Sequence, residues 1–147
     1  MRFRWLLMLG LGVADPVAGL QQPLSMVAEA AREALQRGDV DALLLVPGGR
    51  DVRAPTGARI QLQLPNAEPS MAVGPEQAGA SLRGLLRRGE AHQVRVQGFR
   101  EVGGGRGYVE LVREYRVPGS GERREQRILL GYRRMGGAWN LAEVRVN

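Results

Sequence analysis

The residue types able to carry chemistry are few. His92 is the only imidazole in the chain, and there is no cysteine. That excludes a disulfide scaffold, a cysteine nucleophile and a thiolate metal site. A general base needs a group to orient it and a place in a pocket. The sequence supplies His92 with neither, so a strand-end histidine is the simpler reading. Gly103-Gly104-Gly105-Arg106-Gly107 has the look of a phosphate cradle. It lacks the lysine and hydroxyl that close a P-loop, and no helix follows it, so it reads as a hairpin turn.

Arg113 stands out for a different reason. Alternation puts it on one strand face with Val109, Leu111, Tyr115 and Val117, and that face is otherwise apolar. A buried arginine needs a partner or an anionic ligand. Otherwise its stem lies on apolar surface while the head reaches water. We therefore expect Arg113 to point inward and to pair with a carboxylate or an anion. Tyr132 shares a face with Ile128 and Leu130, and Trp139 with Leu141. Arg113, Tyr115, Tyr132 and Trp139 form the candidate ligand-pocket set. No catalytic set, metal site or cofactor is expected.

The charge pattern argues against nucleic acid. All 21 basic residues are arginine, against 15 acids, for a net charge of +6. Arginine does not deprotonate in proteins, so the high isoelectric point follows from the missing lysine. Aromatic residues are only 5%, too few for stacking platforms. In Glu110–Arg127 the signs mix along the chain, which suits a solvated sheet face.

These residues must be positioned by something, and the element pattern is readable. Arg2 and Arg4 precede an apolar run, Trp5–Ala14, that ends at Asp15-Pro16. The run is too short to span a bilayer and reads as an export signal over residues 1–19. The mature chain, 20–147, is then one domain without a membrane span, secreted or periplasmic. Leu24, Val27, Ala28, Ala31 and Leu35 recur at helical spacing, with Gly38 as C-cap and Asp39 opening a short second helix. Asp51-Val52-Arg53 and Ala58–Leu64 read as a short hairpin around Pro55-Thr56-Gly57, and Pro65–Val73 as a loop. Pro75 starts a third helix with Ala78, Leu82, Leu85 and Leu86 on its apolar stripe and Gly89 as its cap. Strands follow over His92–Val102, Tyr108–Val117, Arg124–Met135 and Ala138–Val146. The first changes phase at Gly98-Phe99, the mark of a bulge. Tight turns between them imply an antiparallel meander packed on the helix of Ala78–Leu86.

This succession resembles the nuclear-transport-factor-two-like superfamily, also called the cystatin-like cone. The matching pieces are the helix ending in Gly38-Asp39, the helix from Gln77-Ala78 to Leu85-Leu86, and the closing hairpin. That hairpin runs from Ile128-Leu129-Leu130 to Gly137-Ala138-Trp139-Asn140-Leu141 and ends on Val144-Arg145-Val146. The resemblance spans roughly Leu24 to Asn147 and is nearest to small secreted bacterial members of unknown function. It implies an α+β fold: a curved antiparallel sheet packed on about three helices, with a conical pocket between them.

The expectation is an exported, non-catalytic domain that binds a small apolar or anionic ligand, or a protein partner. Two alternatives stand beside it: a small lyase or isomerase using the cone with His92 or an acid as base, and a dimerisation module using the outer sheet face. A homodimer is compatible with the first and the last. An acid deep in the cone beside Tyr or His favours the enzyme; a flat apolar outer face favours the module.

Overall fold

The structure is a computed structural model that describes residues 22–44, 59–65, 70–87 and 90–147, the side chains of Glu90 and His92 excepted. The expected export signal, the segment Asp51–Gly57 and the cap at Gly89 lie outside the described residues.

Helix α1 spans Leu24–Arg37, and its apolar stripe is buried from Leu24 to Leu35. Gly38 ends it in the left-handed region at φ 68°, a conformation glycine adopts without a Cβ penalty. Asp39 then caps α2, Val40–Leu44, by accepting the Ala42 N–H at 2.9 Å. Helix α3 spans Pro75–Leu86, with proline in its first turn, where a missing N–H costs nothing.

The strands are β1 Ile60–Gln63, β2 Met71–Val73, β3 Glu90–Val102, β4 Arg106–Arg116, β5 Arg123–Met135 and β6 Ala138–Val146. They form one curved sheet in the order β2-β1-β6-β5-β4-β3. β3 to β6 make the expected antiparallel meander, and β3 is bulged on both sides of Gln93–Val96. Bulges add twist, which lets a long edge strand curl over α1. Gln36 of α1 also accepts the Val94 N–H at 2.8 Å. That contact covers part of the edge that would otherwise offer donors to another chain.

Three expectations need correction. Met71–Val73 is not loop but strand β2, antiparallel to β1 with Ile60 opposite Val73. Three residues are too few to display an alternation. The sheet is not wholly antiparallel, because β1 runs parallel to β6, with Leu62 opposite Val144. The helix packed across β3 and β4 is α1, while α3 packs on α2 and β1. Several amphipathic helices compete for one sheet face, and periodicity does not say which wins.

The core lies between the helices and the inner sheet face. Val109, Leu111, Ile128, Leu130, Val144 and Val146 meet Leu24, Val27, Ala31 and Leu35 there. Gly107 permits the closest approach: a Cβ on it would sit 3.0 Å from Leu24 and 3.2 Å from Trp139.

Candidate functional site

The inner sheet face carries the four sequence-derived candidates, but at two separate ends. Arg113 points inward as expected and is only 3% exposed. Its Nη2 donates to the Leu86 carbonyl at 3.1 Å and its Nη1 to Gln126 Oε1 at 3.3 Å. Leu86 closes α3, where carbonyls lack partners within the helix and the dipole is negative. Arg113 therefore ties β4 to the end of α3. The half-buried Tyr115 ring lies 5.0 Å from its guanidinium carbon. Burial lowers the Arg113 pKa and the neighbouring Tyr115 opposes this, and the guanidinium stays charged at neutral pH.

Tyr132 and Trp139 sit at the other end. Gly107 is the cross-strand partner of Tyr132 on β4, six residues before Arg113. That is roughly 20 Å at the rise of a strand. Trp139 Nε1 donates to the Gln22 carbonyl at 3.0 Å, and the Arg134 guanidinium stacks 4.3 Å over the indole. Gln22 also donates its N–H to Gly137 at 3.2 Å, so the start of the described chain is pinned to the β5–β6 turn. The Tyr132 hydroxyl is buried without a hydrogen-bond partner among the described residues, and burial pushes its pKa well above the ordinary tyrosine range. The structure thus brings Arg113 to Tyr115 and places Tyr132 and Trp139 together at the far end. It does not join the two pairs.

The outer face is built differently. Five strands expose polar side chains there, and ion pairs cross between neighbours: Arg95 to Glu114 at 3.2 Å, Arg127 to Glu110 at 3.9 Å. This face is charged rather than flat and apolar. Its centre is Tyr108, whose ring lies over Gly131 on β5, within 3.3 Å of where a Cβ would stand. Glu143 presses on the same glycine from β6 and pairs with Arg145. Two hollows meet at Tyr108 and Glu143. One, of about 650 Å³, is lined by Gly98, Phe99, Arg100, Glu110, Leu129 and Arg145 besides. The other, of about 180 Å³, adds Gln61, Arg106 and Arg133. Sequence reasoning passed over Tyr108: alternation places it on the solvent face, but only the register shows a glycine beneath it.

Among the described residues, no group of three His, Cys, Asp or Glu side chains could hold a metal ion. The buried charged or strongly polar side chains among them are Arg113 and Gln126.

No family model and no curated protein matches the chain. Solved structures do. A DUF4783-family protein from Bacteroides uniformis superposes with a TM-score of 0.61 at 13% identity, over 81% of this chain and 94% of that one. An NTF-2-like protein of unknown function from Shewanella oneidensis gives 0.55 at 11% identity, over 84% and 94%. A protein from Catenulispora acidiphila with a ketosteroid-isomerase-like fold, solved in complex with trimethylamine, gives 0.57 at 14% identity, over 82% and 83%. The fold is nuclear-transport-factor-two-like. At these identities the likeness is one of backbone architecture. In this chain, Arg113 sits where β4 meets the end of α3, at one end of the curved sheet.

Proposed function

We propose that the protein is an exported, non-catalytic binding domain that takes a small apolar or anionic ligand at the Arg113–Tyr115 end of its helix-facing side. The observation that carries this is the kind of polar group buried there: a guanidinium and a primary amide among the described residues. Proton abstraction needs a base with a tuned pKa. A guanidinium and an amide instead offer donors to a carboxylate or a carbonyl, and the Tyr115 ring offers an apolar wall. Tyr132 and Trp139 belong to the packed wall of the same side in this reading. The apolar run behind Arg2 and Arg4 supports export.

The test is thermal unfolding of residues 20–147 with short-chain fatty carboxylates and the matching alcohols. A ligand at a hundred times its Kd adds about 2.7 kcal/mol of stability. Carboxylates are expected to raise the Tm of the native chain and to lose that effect in Arg113→Gln. Equal indifference to both series overturns the ligand. Turnover of an enolisable ketone, abolished by His92→Ala, overturns the non-catalytic reading. Amino-terminal sequencing of secreted material is expected to start near Leu20; an intact Met1 on cytoplasmic protein overturns export.

A further inference from the structure

The outer groove around Tyr108 is a separate place with its own chemistry. Arg106 and Arg133 face each other directly across the β4–β5 ladder. Like charges opposed in this way destabilise a sheet. Arg100, opposite Tyr108 on β3, lines the adjoining hollow. Among the described residues none of these three arginines makes a side-chain hydrogen bond or an ion pair. The two carboxylates in the groove are already engaged, Glu143 by Arg145 and Glu110 by Arg127. The groove therefore carries an excess of positive charge around the Tyr108 ring.

Size and shape agree with that charge. The smaller hollow, about 180 Å³, holds the Arg106–Arg133 pair and suits a compact anionic head. The larger, about 650 Å³, falls in the range of small-molecule sites and has the Tyr108 ring and Leu129 for an apolar or planar body. Guanidinium forks match tetrahedral oxyanions, and two of them opposed match a double charge better than a single one.

We infer that the Tyr108 groove binds a phosphate monoester carried on a planar or apolar body, with the phosphate between Arg106 and Arg133 and the body against Tyr108. The site is independent of the one proposed at Arg113, because it lies on the opposite face of the sheet. The same chemistry occurs in a free phosphate ester and in an anionic lipid headgroup, and the small-molecule volume of the larger hollow, about 650 Å³, favours the free ester.

The probe is phenyl phosphate, followed through the backbone amide shifts of the full mature chain, residues 20–147, at low salt. Inorganic phosphate, phenyl glucoside and vesicles with one-third anionic phospholipid are run beside it. Phenyl phosphate is expected to move the amides of 106–108 and 131–133, and to bind at least threefold tighter than inorganic phosphate. Arg133→Gln is expected to weaken it about tenfold. Tyr108→Leu is expected to abolish its advantage over inorganic phosphate. Both variants keep the native amide spectrum elsewhere, so a folding defect is visible directly. Equal binding of the neutral glucoside, an unchanged affinity in Arg133→Gln, or shifts confined to other strands overturns the inference. Binding to vesicles without binding of phenyl phosphate also overturns it, in favour of a membrane surface.

Discussion

The two faces of the β4–β5 ladder do opposite work with the same residues' backbone. Inward, Val109, Leu111, Ile128 and Leu130 are almost completely buried beneath the helices. Outward, one residue along from each, Tyr108, Glu110, Leu129 and Gly131 shape an open groove. A strand's two-residue period separates the buried set from the groove-lining set without cost. The faces also handle arginine differently. Inside, Arg113 is held by the Leu86 carbonyl and Gln126. Outside, Arg106 and Arg133 are set against each other. The charge of Arg113 is met by neutral oxygens, whereas Arg106 faces a second cation across the ladder.

The largest expected contrast is between Leu111→Ala and Leu129→Ala. The first empties a fully buried site and is expected to cost about 2–5 kcal/mol; the second, half-exposed in the groove, under about 1. Urea unfolding compares them, and equal costs erase the distinction between faces. Next is Arg113→Ala against Arg116→Ala. Removing Arg113 strips partners from a helix-end carbonyl and a buried amide, at about 1–3 kcal/mol. Arg116 is exposed and is expected to stay within about 0.5. Equal small effects would make Arg113 a solvated residue.

Tyr132 gives a pH-dependent contrast. Its folded pKa is raised by burial above the ordinary value near 10. Above that pH the unfolded chain releases the proton while the folded chain retains it. Stability is therefore intact below pH 10 and falls by up to about 1.4 kcal/mol per unit above it. Tyr132→Phe is expected to flatten that slope and, since the hydroxyl has no partner among the described residues, to leave stability at pH 7 unchanged or slightly higher. Unfolding at pH 7, 10 and 11 measures it; an undiminished slope in the variant assigns the titration elsewhere. The smallest effect is on the outer face. Arg133→Gln relieves the opposed pair and is expected to stabilise by about 0.2–0.5 kcal/mol at low salt, vanishing near 1 M. A loss of stability would show that the pair is held together by something other than charge.

Much of the local structure was legible. Gly38-Asp39 marked one helix end and the next helix start, and Gly136-Gly137 marked the last turn, both with positive φ. The phase change at Gly98 marked a bulge that the ladder contains. The inward aim of Arg113 followed from alternation alone. Its contacts did not, because Leu86 and Gln126 reach it through a helix end and a neighbouring strand. Tyr108 was visible only as an outward aromatic; the glycine beneath it and the glutamate beside it come from two other strands.

What the chain's sequence determined by itself is its succession of helices and strands, and which side of each strand is apolar. These depend on interactions within a few residues, so spacing records them. The tertiary structure decided that β1 lies parallel to β6, that α1 rather than α3 covers β3 and β4, and that Arg106 meets Arg133. Those outcomes depend on which distant segments bury the most surface together. That is a property of the whole packing, and no window of sequence contains it.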